Sequence, residues 1–195
     1  MRRKRKVPPV PPIGELEQEL KRSRHHHRFQ TALRSTVFTL ITVAAVAILV
    51  ATLWLPVLQI YGNSMTPTLQ AGSIVLSVKS DQMKPGDVIA FYYNNKILVK
   101  RVIASAGDWV DIDKEGNVYV NNELLDEPYL EEKDFGECNI VLPYQVPESR
   151  IFVMGDHRSV SVDSRSTAVG CVAEEQIVGK LVYSVWPLKD FGKIE

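Results

Sequence analysis

The chain has 195 residues, 45% of them hydrophobic and 24% charged; that suits one folded domain with extra segments and excludes a disordered polymer. Its net charge of zero hides an asymmetry: residues 1–36 carry ten Lys/Arg and three acids, so they are +7 and the remainder −7. An acidic globular part argues against nucleic acid as a partner, because phosphate binding needs a basic face.

In chain order, residues 1–30 are basic and rich in proline. The prolines at 8, 9, 11 and 12 rule out a continuous helix at the start. A solvated tail is expected, with at most a short helix over residues 14–24. His25, His26 and His27 are consecutive but have no accompanying Cys/His cluster, so they read as a juxtamembrane polar run and not as metal ligands.

Residues 37–58, VFTLITVAAVAILVATLWLPVL, contain no charge. As a helix at about 1.5 Å per residue this run reaches roughly 33 Å, enough to cross a bilayer core. A cleaved signal peptide fits poorly, since the basic region before the run is too long and Ala45-Val46-Ala47 lies in its middle. A retained signal anchor fits better. The basic excess before it places the N-terminus in the cytoplasm. Trp54 and Tyr61 suit the far interface, and Pro56 is tolerable in a last turn. The expected organisation is a cytoplasmic tail over residues 1–36, one transmembrane anchor over 37–58, and an extracytoplasmic domain over 59–195.

From residue 60 the pattern turns to β. SIVLSVK, DVIAFYY, KILVKRVIA, WVDI, NVYVNNELL, RIFVMGD and KLVYSVWP are short runs rich in Val, Ile and aromatics. Turn signals such as Pro85-Gly86-Asp87 and Lys114-Glu115-Gly116-Asn117 separate them. Asn94-Asn95 between two runs predicts a two-residue hairpin loop, and residues 173–177 hold the only trace of helical periodicity. The expected fold is mainly β, antiparallel and partly barrel-like, behind one transmembrane helix. Cys138 and Cys171 are too few for a disulfide framework; one bridge and two separate buried thiols fit equally well.

Neither cysteine has a histidine beside it, and the only histidine beyond the tail is His157. Its Gly-Asp-His-Arg turn lacks the spacing of a Ser-His-Asp triad, and it is too isolated for zinc, so a surface or structural role is expected. A serine can also be activated by a neutral lysine. In the run over residues 96–104, alternation places Lys100 on one face with Lys96, Leu98 and Val102. Burial among such neighbours lowers a lysine pKa by several units. Taken alone, the strand fits a snorkelling surface lysine better.

Three segments supply the context: GNSMTPTL (62–69), VKRVIASAGD (99–108) and GDHRSVSVDSR (155–165). In this order, behind a signal anchor, they resemble the conserved boxes of bacterial type I signal peptidases, Ser-Lys dyad enzymes, and look most like the shorter forms. The resemblance covers about residues 37–187. It implies a signal-peptidase β fold and a membrane-bound serine endopeptidase that removes signal peptides from exported preproteins. Cleavage would follow small residues at the −1 and −3 positions. Ser64 would be the nucleophile and Lys100 the general base, for attack and again for the deacylating water. Ser161 would orient Lys100, Asp163 and Arg165 would form a supporting ion pair, and Met65 and Pro67 would shape the nucleophile turn. Gly62 stands where some members place an oxyanion-hole serine, so backbone N–H groups would serve instead. No cofactor, metal or nucleic acid is implied. The partners would be signal peptides and the phospholipid membrane, and the protein would act as a monomer.

His157, Val160 and Ala104 replace residues usual in these boxes (Asn, Asn and Gly); none removes a proton-transfer group, so they bear on substrate preference. Ser64 follows Leu58 by six residues, which puts it within about 20 Å of the hydrocarbon edge, where a signal peptide's cleavage site emerges. Two other readings compete. Self-cleaving repressor-type Ser-Lys proteases share the β core but are soluble, and an anchored, non-catalytic β binding domain would not need Ser64, Lys100 and Ser161 together.

Overall fold

The computed structural model describes residues 12–54, 56–80 and 82–194. Expectations for residues 1–11, and for the side chains of His25, His26, His27 and Trp54, lie outside what it describes. It divides into an N-terminal unit and a β unit that begins at Thr52.

The described residues of the N-terminal unit belong to one helix, α1, Ile13–Trp54, of 42 residues, whose last turn runs into the β unit, where a tail followed by a shorter anchor was expected. Nothing in residues 15–54 breaks a helix, because they contain neither Pro nor Gly. Within it, Phe29–Val50 is long and apolar enough to cross a membrane. Phe38, Leu40, Ile41, Val43, Ile48 and Leu49 are exposed around it, as lipid and not water would favour. The helix stops at Trp54, four residues before the apolar run ends. Pro56 has no N–H to donate and disfavours helical geometry in the residue before it. Val57 and Leu58, expected as the end of the anchor, instead form a strand with Gln59.

The described residues of the β unit form twelve strands: β1 Val57–Gln59, β2 Ile74–Val78, β3 Val88–Tyr93, β4 Lys96–Ala104, β5 Trp109–Ile112, β6 Val118–Val120, β7 Glu123–Leu124, β8 Tyr144–Gln145, β9 Arg150–Met154, β10 Val172–Ala173, β11 Ile177–Trp186 and β12 Gly192–Lys193. One sheet runs β1-β2-β11-β3-β4-β9-β10 with β12 beside β11, and a second runs β7-β6-β5-β8. Every pairing is antiparallel. The antiparallel β expectation holds, and among the described residues neither sheet closes into a barrel.

Local rules explain the tight turns. Asn94 and Asn95 take φ of 42° and 65° between paired Tyr93 and Lys96, the left-handed pair that a two-residue hairpin needs. The helical trace at 173–177 is one short 3-10 turn, Glu174–Gln176. Three apolar clusters form the core. One gathers Ile60, Met65, Leu69, Val75, Val88 and Leu181 beneath the turn after β1. Another contains Ile89, Phe91, Val102 and Val153, and the third holds Cys171 beside Phe152 and Met154. Both cysteines are free.

Candidate active site

Ser64 lies in the turn that links β1 to β2. Its neighbours Met65 and Leu69 are buried in the core beneath, and the Leu69 N–H donates to the Met65 carbonyl at 2.8 Å. Two apolar anchors thus hold the turn down while Ser64 stays half-buried at its surface. Gly62 enters the turn at φ 89°, a conformation costly for any residue with a Cβ. Pro67 is exposed and follows a cis peptide bond.

Lys100 pairs with buried Ile89 across β3 and β4, with Leu98 and Val102 on its own face. It is 3% exposed, and its Nζ donates to Ser64 Oγ at 2.6 Å. Burial lowers its pKa from 10.5 to about 8; Asp163 and Asp156 oppose that shift and Arg165 adds to it. Once the amine is neutral, the same contact can reverse and the hydroxyl can donate to nitrogen.

Behind this pair sits a buried ion pair. Arg165 Nε and Nη2 donate to Asp163 Oδ1 and Oδ2 at 2.9 and 3.0 Å, with both side chains 0% exposed. Burial pushes the Asp163 carboxyl up. Bonds from Arg165, Ser161 and the Gly155 N–H outweigh it and hold the group below its ordinary value. Ser161 Oγ donates to Asp163 Oδ2 at 2.7 Å. That bond uses the hydroxyl's single hydrogen and leaves its oxygen able to accept.

Gly155 is squeezed between the two halves of the site. A Cβ there would lie 2.2 Å from Ser161 Oγ and 2.5 Å from the Ser64 carbonyl oxygen. Gly155→Ala is expected to force these groups apart and to lower stability by about 1–3 kcal/mol, which a melting curve checks.

A second network escaped sequence reasoning. Arg101 is buried, donates from Nε and Nη2 to Asp156 at 2.9 and 2.8 Å, and lies 3.8 Å from the centre of the Tyr129 ring. Thr68, on the nucleophile turn, donates to the same carboxylate at 2.5 Å. Arg158 pairs with Glu127, which also accepts the Tyr129 hydroxyl at 2.9 Å. The available signal was strand alternation, which puts Arg101 on a face with Val99 and Ile103. A charge there demands a carboxylate partner.

His157 reaches the nucleophile turn as well. Its backbone N–H donates to the Ser64 carbonyl at 3.1 Å, and its Nδ1 lies 2.9 Å from Thr66 Oγ1. Val160 is exposed and Ala104 is buried. Among the described residues, no group of three or more His, Cys, Asp or Glu is placed to hold a metal ion.

A groove of about 670 Å³ opens at Ser64, with Leu58 and Ile60 on one wall and Ile97 and Val99 on the other. Among the described residues both walls have free strand edges: β1 pairs only with β2, and β4 pairs with β9 only from Arg101 onward.

Comparison with known proteins gives this architecture a family. The family model described as signal peptidase, peptidase S26, matches residues 33–186. Over 153 residues the chain is 37% identical to signal peptidase IB of Staphylococcus aureus, covering 68% of this chain and 78% of that protein. Over 162 residues it is 39% identical to signal peptidase I of Bacillus caldolyticus, covering 73% and 87%. A crystal structure of a signal peptidase I from Enterococcus faecalis aligns at 28% identity and TM-score 0.45, covering 51% of this chain and 97% of that one. The chain is thus a peptidase, and it belongs to the signal peptidase family S26, the family its three sequence boxes resemble.

Proposed function

We propose that this protein removes signal peptides from exported preproteins, with Ser64 as nucleophile and Lys100 as general base. The observation that carries the reading is the 2.6 Å contact between a buried lysine amine and a serine hydroxyl at the end of a groove. Ser64 Oγ attacks the scissile carbonyl carbon and passes its proton to Lys100 Nζ. The resulting ammonium protonates the leaving amine, and an ester-linked acyl-enzyme remains. Lys100, neutral again, takes a proton from water, which attacks the ester and frees Ser64. The Ser64 N–H donates to no described group, which leaves it available for the oxyanion beside a Gly62 that adds no hydroxyl.

The substrate enters as an extended strand, because free edges of β1 and β4 flank the groove and can take main-chain hydrogen bonds. Apolar walls near Ser64 favour small, uncharged residues at −1 and −3. In this reading residues 1–36 begin on the cytoplasmic side, α1 crosses the bilayer once through its apolar stretch, and the β unit works outside as a monomer.

The test is cleavage of a preprotein by the detergent-solubilised protein, with Ser64→Ala and Lys100→Ala alongside. Cleavage after a small-x-small sequence by the parent alone is expected; a folded parent that leaves every preprotein intact would overturn the reading. The pH profile follows from the base. Below about 8 Lys100 is protonated, so kcat/KM should fall about tenfold per pH unit. Above 8 it should level off. A rate independent of pH between 6 and 9 would remove Lys100 as the titrating base.

A further inference from the structure

The turn that carries Ser64 is held by the 155–157 turn at three points. The Ser64 carbonyl accepts the His157 N–H at 3.1 Å, Thr68 Oγ1 donates to Asp156 Oδ2 at 2.5 Å, and Thr66 Oγ1 meets His157 Nδ1 at 2.9 Å. The third contact has a definite direction. Thr66 Oγ1 also lies 2.9 Å from the Asn63 carbonyl oxygen, which can only accept. The single hydroxyl hydrogen therefore points to Asn63, and the hydroxyl oxygen accepts from Nδ1–H. A donor chain runs from His157 through Thr66 to Asn63, the residue before the nucleophile.

We infer that His157 is a positioning residue: its ring N–H, through Thr66, fixes the backbone at Asn63 and so sets where Ser64 Oγ lies against Lys100 Nζ. This rests on the Ser-Lys reading above. It touches neither substrate nor reacting atoms, so it acts on attack geometry and not on proton transfer. The turn has no regular ladder of its own. Met65 and Leu69 anchor its floor, while Asn63 is exposed and is gripped by the Thr66 N–H at 3.2 Å and the Thr66 hydroxyl. Without the His157 donor, the Thr66 hydroxyl can rotate away and the Asn63 peptide gains freedom one bond from the nucleophile. Small displacements at an attacking atom are expensive in rate.

Geometry also names the substitute. In asparagine the amide nitrogen is bonded to Cγ, as Nδ1 is in histidine, so His157→Asn would keep an N–H donor at the same distance along the side chain. Glutamine places its amide one carbon further, where Nε2 stands. His157→Ala and His157→Gln are expected to lower kcat roughly tenfold with KM nearly unchanged, and His157→Asn to restore most of the parent rate. Thr66→Val should cost about as much as His157→Ala, and the double variant no more than either alone, because both remove one chain.

The experiment is steady-state cleavage of one signal-peptide substrate by the full-length parent, these variants and Ser64→Ala, with melting temperatures for each. If the parent does not cleave, or Ser64→Ala does, the Ser-Lys reading fails. If the parent cleaves and Ser64→Ala does not, three results overturn the role of His157 alone: an alanine variant as fast as the parent, a glutamine variant that matches the asparagine one, or losses from His157→Ala and Thr66→Val that multiply. A melting temperature that falls in step with kcat across the series would make His157 a stabilising residue only, which also refutes the inference.

Discussion

Lys100→Met is expected to abolish cleavage and to raise stability in the same protein. Methionine fills much of the space of the lysine stem but carries no charge into an apolar site. The lysine is 3% exposed, and burial lowers its pKa from 10.5 to about 8. Below pH 8 the amine is protonated in both the folded and the unfolded chain, so folding bears the full desolvation cost, about 3 kcal/mol from the shift. Between 8 and 10.5 the folded protein has shed the proton while the unfolded chain still holds it, and the cost fades. Above 10.5 both are neutral and nothing remains to be gained.

The stability gained by Lys100→Met should therefore be largest at pH 7 and below, and should shrink as pH rises through 8. Urea melts at pH 6.5 and 9.5 measure the difference. Cleavage should drop at least about 10⁴-fold at either pH, as when a nucleophile loses its base. Ser64→Ala is the control: equally inactive, with little change in stability at any pH, since it removes one hydroxyl and leaves the buried ammonium. A Lys100→Met protein that melts below the parent at pH 6.5 would show that the lysine is comfortable where it sits, and the argument for a depressed pKa would fall with it. A destabilised group kept at this position is the pattern expected where activity and stability conflict.

What the sequence made legible here was local. Alternation along β4 put Lys100 with Leu98 and Val102, and the structure pairs it with Ile89 in that same apolar layer. The asparagine pair at 94–95 forecast its own turn geometry. The helix was misjudged at both ends for different reasons. At its start the composition changes from charged to apolar near residue 37, but composition does not stop a helix, and no Pro or Gly follows until Pro56. At its end Pro56 acts as a terminator, because residues 57–59 gain a strand partner in residues 74–76. Such long-range pairing is invisible to a local pattern. Glu127 and Tyr129 were missed for the same reason: they lie in a segment without periodicity, 31 residues from Arg158 and 28 from Arg101, and only the folded chain brings them together. For Ser161, which the resemblance assigns to Lys100, the folded chain adds a partner that the motif does not name: its hydroxyl donates to a carboxylate two residues on.

That carboxylate leads to the second large effect. Arg165→Met should cost about 3–5 kcal/mol of stability, because it strands Asp163 as an unpaired charge at 0% exposure. It also strips donors from the Phe135 and Arg158 carbonyls, which accept from Arg165 at 2.8 Å each. Asp163→Asn should cost a similar amount, since it leaves the Arg165 guanidinium without its counter-ion and turns an amide NH2 toward donors, although the arginine keeps those two carbonyls. The two variants separate more sharply in their pH profiles. Arg165 lowers the Lys100 pKa and Asp163 raises it. Removing the guanidinium should move the acid limb of the cleavage profile to higher pH, so a neutral-pH assay sees less active enzyme than the folded fraction predicts. Removing the carboxylate charge should move the limb to lower pH, and at pH 7 the lost stability would be partly offset by a larger neutral fraction of Lys100. Shifts of opposite sign, measured on folded protein, would establish that the ion pair tunes the base as well as bracing the fold. Shifts of the same sign would mean that both substitutions act through a common loosening of the site, and the electrostatic account would have to be given up.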